Sequence, residues 1–173
     1  MARVEDEARR ITALRGAFRA DQFNHPGNPA AHVDGTAAEI WAQSAGALTA
    51  FCDFAGSGGT LAGVSEALGP KGVRCYGVEP VGAEVLAGKP VVRADHPIQG
   101  GGYAMPQLAH LQGVPLAGFL AVRGDEARDR ARLLARTEGI FAGYSTGANL
   151  AAALHLLAGP ERGGTVAMIA CDS

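Results

Sequence analysis

Residues 48–68 constrain the fold of this chain more than any other stretch. A short apolar run at 48–55 ends in Gly56-Ser57-Gly58-Gly59-Thr60, and a helix pattern follows over 61–68. An apolar strand, a glycine turn and a helix, in that order, form the repeating unit of an α/β fold. Glycines let the backbone approach a ligand closely. The helix that follows aims free N–H groups and the positive end of its dipole at the turn. The Ser57 and Thr60 hydroxyls add donors. Gly56, Ser57, Gly58, Gly59 and Thr60 therefore read as a phosphate cradle; the simpler alternative is a tight strand-to-helix turn. No Gly-Lys-Ser/Thr follows, so this is not a Walker loop, and Leu61 stands where a dinucleotide fingerprint has its third glycine. Glu79 closes the next strand, about where a ribose-binding acid sits, which keeps nucleotide binding open.

The rest of the chain supports the same class. The pattern predicts a helix over 5–18, with Ala8, Ile11, Leu14, Ala17 and Phe18 spaced by three and four. Residues 21–34 hold two prolines, two asparagines, two histidines and a glycine, and read as a loop. Thr36 then reads as the N-cap of a helix over 36–45, with Glu39 at capping-box spacing. Strands are predicted at 73–78, 118–122, 140–142 and 165–171, and helices at 125–138 and 148–158. Strands alternate with helices, so the expected fold is α/β: a mainly parallel twisted sheet flanked by helices, in one domain over 1–173. At 173 residues the chain is long enough for one real core.

Composition excludes several function classes. Net charge is −2, from 15 basic and 17 acidic side chains, so no basic face for nucleic acid is expected. No apolar run approaches the ~18 residues of a membrane span. The first ten residues carry three acids and no apolar signal core, which points to the cytoplasm. Cys52, Cys75 and Cys171 each sit in an apolar run and match no zinc spacing, so buried free thiols are expected. His25 and His32 are seven apart with no third ligand in view, and no metal site is expected.

Three further segments could carry chemistry. Gly143-Tyr144-Ser145-Thr146-Gly147 matches the G-x-S-x-G nucleophile elbow. The later His155 precedes the later acid Asp172, which is the wrong order for that hydrolase fold; a small-residue turn allowing close helix packing is the alternative. Ile98-Gln99-Gly100-Gly101-Gly102-Tyr103 strips side chains from a loop whose backbone can meet a flat ligand, or is a mobile surface loop. Gln22-Phe23-Asn24-His25-Pro26-Gly27-Asn28 is a dense amide and histidine segment that also serves as an ordinary turn.

Taken in order, these segments resemble the cysteine synthase and cystathionine β-synthase family, fold type II pyridoxal-phosphate enzymes. The carriers are Gln22-Phe23-Asn24 with Asn28, His32, Thr36 and Glu39-Ile40-Trp41; the 56–60 loop; Val78-Glu79-Pro80; the 98–103 segment with Pro106; Glu138-Gly139-Ile140 with Gly143, Ser145 and Gly147-Ala148-Asn149; and Cys171-Asp172-Ser173. The resemblance runs from about Gln22 to Ser173. It implies pyridoxal 5′-phosphate as cofactor, its phosphate held by Gly56, Ser57, Gly58, Gly59 and Thr60. It implies Ser173 at the pyridine nitrogen, Gln22 near the substrate carboxylate, Gly100 on the substrate-amine side and Tyr103 as a further substrate-binding residue. The implied reaction is β-replacement or β-elimination on serine, O-acetylserine or cysteine-type amino acids.

The departures from the family pattern are equally specific. The family's Schiff-base lysine and its asparagine loop lie in an N-terminal half that has no counterpart here. Lys71 and Lys89 are the only lysines, and neither has the family's sequence context. Ala37 replaces the family glycine, and 101–105 runs one residue short. No residue of this chain is therefore expected to be the catalytic lysine. The expectation is the large-domain half of a split enzyme. A separately encoded N-terminal chain would bring the lysine, and the assembled unit would form a higher oligomer. Two alternatives remain: a non-catalytic relic that binds a partner, and a nucleotide-binding domain using 56–60 and Glu79.

Overall fold

A computed structural model describes residues 2–171. Four parallel strands form its centre: β1 (Ala50–Phe54), β2 (Arg74–Pro80), β3 (Gly118–Val122) and β4 (Val166–Met168), in the order β3-β2-β1-β4. Every residue of β1 is buried, as a strand covered on both faces requires. Its side chains alternate between the two layers. Ala50, Cys52 and Phe54 pack with Val78 and Val122 against Ala148, Ala151, Ala152 and Leu156 of α6 (Tyr144–Ala158). α5 (Gly124–Glu138) packs in the same layer through Ala127. Phe51 and Cys75 point to the other layer, against Leu61, Val64 and Leu68 of α4 (Gly59–Leu68). The α/β parallel architecture is the one expected.

Several boundaries differ from the sequence expectation. Residues 21–34 are not all loop: α2 (Gly27–Ala31), a π-helical turn (His32–Ala37) and α3 (Ala38–Gln43) follow one another. Tertiary packing overrides the weak local propensity here. α2 lies so close on α4 that a Cβ at Gly63 would be 2.4 Å from the Pro29 carbonyl oxygen. Thr36 is consequently inside the helical run and is not an N-cap. Residues 140–142 are not a strand; they form the exposed connection between α5 and α6, with Phe141 80% exposed. α6 begins at Tyr144, and β4 is three residues long. Cys52 and Cys75 are buried, but Cys171 is exposed. α1 (Ala2–Arg15) is a helix, yet its apolar stripe faces outward: Leu14 is 72% and Phe18, beyond its end, 86% exposed.

One buried polar cluster ties β2 to the turn after α6. The Glu161 carboxylate is 2% exposed and accepts from the Tyr76 hydroxyl at 2.7 Å and from the Arg74 guanidinium. Tyr76→Phe removes one of these donors from a buried charge. It is expected to lower unfolding free energy by about 1.5–3 kcal/mol, read from urea denaturation at neutral pH.

Candidate active site

The sheet order creates a switch point. β1 runs on to β2 on one side and has β4, the last strand, on its other side. In open parallel sheets the crevice outside such a point, at the carboxyl ends of the strands, is where ligands bind. Here the 56–60 turn fills that position. Gly58 has φ +85, a left-handed conformation that favours glycine, and α4 starts at the next residue. The first amides of α4 have no acceptor within the helix, so they and the helix dipole converge at the turn.

Side chains from the α2 region brace this turn. Asn28 Nδ2 donates to Ser57 Oγ at 3.0 Å and to the Gln22 carbonyl at 2.7 Å. Thr60 Oγ1 and His32 Nε2 are 3.2 Å apart, and His32 Nδ1 and Thr36 Oγ1 are 2.9 Å apart. Burial holds the His32 pKa below its usual value and so favours the neutral ring. With the proton on Nε2, His32 donates to Thr60 and leaves the Thr60 hydroxyl proton for a ligand. Asn28 seats the turn tightly: a Cβ at Gly59 would be 2.0 Å from Asn28 Oδ1.

The 98–102 loop crosses the same turn. Gly102 N donates to the Ala55 carbonyl at 3.0 Å, and His96 Nε2 donates to the Gly102 carbonyl at 3.0 Å. A Cβ at Gly56 would be 2.7 Å from the Gly100 carbonyl oxygen. Between turn, loop and sheet lies a cavity of about 380 Å³. Gly56, Ser57, Gly58, Gly59, Thr60 and Gly100 all line it, joined by Asp53, Gln99, Ser145 and Cys171. Two cavities of about 460 and 450 Å³ lie elsewhere, beside Leu111 and beside Tyr144, and neither includes the glycine turn.

Other sequence candidates fall outside this cavity. Gln22 is not among its lining residues; its carbonyl accepts from Asn28 and, at 2.9 Å, from His110 Nε2. Tyr103 lies edge-on to Phe23 with ring centres 6.1 Å apart. Ser173 lies outside the described residues. Glu79 is buried, and its two oxygens accept from Leu86 N at 2.7 Å and Ala87 N at 2.9 Å. It closes the turn after β2 and does not line the cavity, so the ribose role has no structural support. His155, ten residues along α6 from Ser145, pairs with Glu126 at 3.0 Å, about 15 Å away by helix rise. Among the described residues no histidine lines the cavity with Ser145, although that hydrolase reading requires one. His25 Nδ1 accepts from Gly27 N. Among the described residues no cluster of three His, Cys, Asp or Glu side chains could hold a metal ion.

Asp53 was not singled out from the sequence. It is 8% exposed, and Asn149 Nδ2 donates to its Oδ1 at 3.2 Å. Burial pushes its carboxyl up to about 7, outweighing the Asn149 and Phe54 hydrogen bonds that pull it down. A lone acid in an otherwise apolar strand, just before a glycine turn, was the available signal.

With this geometry in place, comparison with known proteins is direct. Residues 1–172 match the family described as pyridoxal-phosphate dependent enzyme. The chain belongs to that family. Within it, cysteine synthase 3 of Caenorhabditis elegans is 36% identical over 165 residues, covering 94% of this chain and 48% of that protein. Cysteine synthase A of Escherichia coli K12 is 40% identical over 143 residues, covering 78% and 44%. The crystal structure of O-acetylserine sulfhydrylase isoform 3 from Entamoeba histolytica superposes with a TM-score of 0.87 at 32% identity, over 96% of this chain and 50% of that one. This pyridoxal-phosphate family chain thus has a cysteine synthase-like fold and spans about half the length of the curated relatives it matches. Pyridoxal 5′-phosphate is the cofactor of the family. The residues present fit its phosphate: a turn with no side chains at Gly56, Gly58 and Gly59, at a helix N-terminus, opening into a cavity that Ser57, Thr60, Gln99 and Ser145 also line.

Proposed function

We propose that this chain is the phosphate-binding half of a split, cysteine synthase-like enzyme acting on small amino acids of the serine, O-acetylserine or cysteine type. The reaction is β-replacement or β-elimination, and a separate chain supplies the cofactor-anchoring lysine. One observation carries the reading: the glycine turn opens into a cavity that neither lysine of the sequence lines. Lys71 Nζ sits 5.1 Å from the centre of the Trp41 ring, and Lys89 pairs with Glu84 at 3.8 Å. When bound, the cofactor supplies an electron sink for chemistry at the amino-acid carbons.

The chain's own residues have distinct tasks in this reading. The amides of 58–60 and the Ser57 and Thr60 hydroxyls bind the phosphate, and His32 orients Thr60. Gly100 flanks the substrate side. Ser173 is assigned to the pyridine nitrogen by the family resemblance. Gln22 and Tyr103 take up substrate roles once a partner closes the site, since neither lines the cavity in the single chain.

Exposed apolar surface supports a partner. Phe18, Leu14 and Phe141 are largely solvent-exposed, and β3 and β4 are open sheet edges. An assembled unit that forms a higher oligomer would cover more of this surface. No described helix is long and apolar enough to cross a membrane. Two buried free thiols are consistent with a reducing compartment such as the cytoplasm.

The test is borohydride reduction with pyridoxal 5′-phosphate followed by peptide mass spectrometry. The chain alone is expected to bind the cofactor reversibly and to carry no phosphopyridoxyl group. Mixed with the lysine-bearing N-terminal half of a cysteine synthase, the label is expected on the partner's lysine, together with β-replacement activity. A stable label on Lys71 or Lys89 of the chain alone would overturn the split.

A further inference from the structure

We infer that the glycine turn takes up its phosphate together with a proton, and that Asp53 is the group that holds it. The inference rests on the reading of 56–60 as an anion cradle and adds a protonation partner to it. Asp53 lies three residues before Gly56, at the carboxyl end of β1, and lines the same cavity. Among the described residues lining that cavity it is the one Asp, Glu, Lys, Arg or His, and its ionised form has the sign of the ligand's charge. A phosphate held there shares one partly enclosed cavity with the Asp53 carboxyl, where like charges repel. Protonation of Asp53 removes the repulsion.

Among the described residues the cavity offers no cation to offset that repulsion, and Asp53 itself has hydrogen bonds from Asn149 and the Phe54 backbone. From α6, Asn149 contributes one amide donor, which it shares with the Ile169 carbonyl at 3.0 Å, and Ser145 a hydroxyl. Asn149 Oδ1 is buried without a hydrogen-bond partner among the described residues, so this corner has a spare acceptor. Cys171, after β4, brings a thiol. On β1 itself Cys52 is pushed up to about 12, chiefly by burial, and on β2 Cys75 is pushed up to about 11. Both remain neutral thiols. From the α4 side come the Ser57 and Thr60 hydroxyls, with neutral His32 behind Thr60. From the 98–102 loop come Gln99 and Gly100, with His96 turned to the Gly102 carbonyl. No lysine or arginine lines the cavity among the described residues. With Asp53 titrating near neutrality even before an anion enters, binding draws in a proton at physiological pH.

Calorimetric titration of the full chain with inorganic sulfate tests this, because sulfate has no proton of its own to exchange near neutrality. The titration is run at constant ionic strength in two buffers of different ionisation heat. Affinity is expected to fall about tenfold per pH unit above about pH 7, with uptake approaching one proton per sulfate. In Asp53→Asn the affinity is expected to change less than about twofold over the same range, with no buffer-dependent heat. The carboxyl carbon resonance of Asp53 in the unaltered chain supplies a second readout: its titration midpoint is expected to move upward when sulfate is added. Binding that is pH-independent, linkage that survives Asp53→Asn, or a midpoint that sulfate leaves in place would each overturn the inference and leave the cradle intact. Failure to bind sulfate at every pH would instead overturn the cradle reading, and this inference with it.

Discussion

Alanine at position 147 is expected to remove a large part of the stability of the fold. Gly147 lies in the first turns of α6, where that helix crosses α5. A Cβ there would be 1.9 Å from the Ala127 carbonyl oxygen, 2.8 Å from its carbon and 3.0 Å from Ala131 N. All three are backbone atoms, so no rotamer change gives relief. α6 would have to back away from α5. Its other contacts oppose that movement, because Ala148, Ala151, Ala152 and Leu156 are buried against the sheet. Overpacking usually costs about 1–3 kcal/mol, and a backbone clash of this depth is expected to reach about 3–5 kcal/mol. Domains of this size have only about 5–15 kcal/mol in total. Thermal melts of Gly147→Ala against Gly35→Ala measure it. A Cβ at Gly35, inside the π-helical turn, meets nothing within 4 Å and its φ is not positive, so that variant is expected to melt like the parent or slightly higher. Equal melting of the two variants would refute the tight crossing.

Asp53→Asn is expected to stabilise the chain, and only on the alkaline side. The Asp53 carboxyl is raised from its ordinary 3.8 to about 7 in the folded protein. A folded-state value above the unfolded one means that the folded form binds more protons between them. The resulting stability is full below about pH 4 and is lost as pH rises through about 7. At about pH 8 the parent holds an unfavourable buried carboxylate whose hydrogen bonds from Asn149 and the Phe54 backbone do not offset its burial, and asparagine removes that charge. The gain is expected to be a few kcal/mol at about pH 8 and to vanish below about pH 4. Circular-dichroism melts across that range check the sign. A variant less stable than the parent at about pH 8 would show that the carboxylate is well solvated or paired. A cavity residue whose removal stabilises the fold fits a site kept for its chemistry at some cost in stability.

The place of the candidate site in the fold was largely legible from short ordered motifs, while the full set of residues lining its cavity was not. The 56–60 turn lies between a strand and a helix as its residues predict, and the 98–102 loop meets it through Gly56 and Gly100. Asp53 was missed because a strand period says which layer a residue faces and not whether the strand's end opens into a cavity. The brace from Asn28 and His32 was hidden in a segment whose prolines, glycine and asparagines read as loop. That segment is helical because α4 carries Gly63, which lets α2 approach it.

Strands β1, β2 and β3 and helices α4 and α5 are determined by the sequence alone, since their apolar periods and glycine stops are local signals that no partner element has to complete. The order β3-β2-β1-β4 is different in kind, as are the helical run from Gly27 to Gln43, the irregular connection at 140–142 and the meeting of Asp53 with the glycine turn. Each depends on which surfaces can approach closely enough to exclude water. That is a property of pairs of distant segments, so only the tertiary structure decided it.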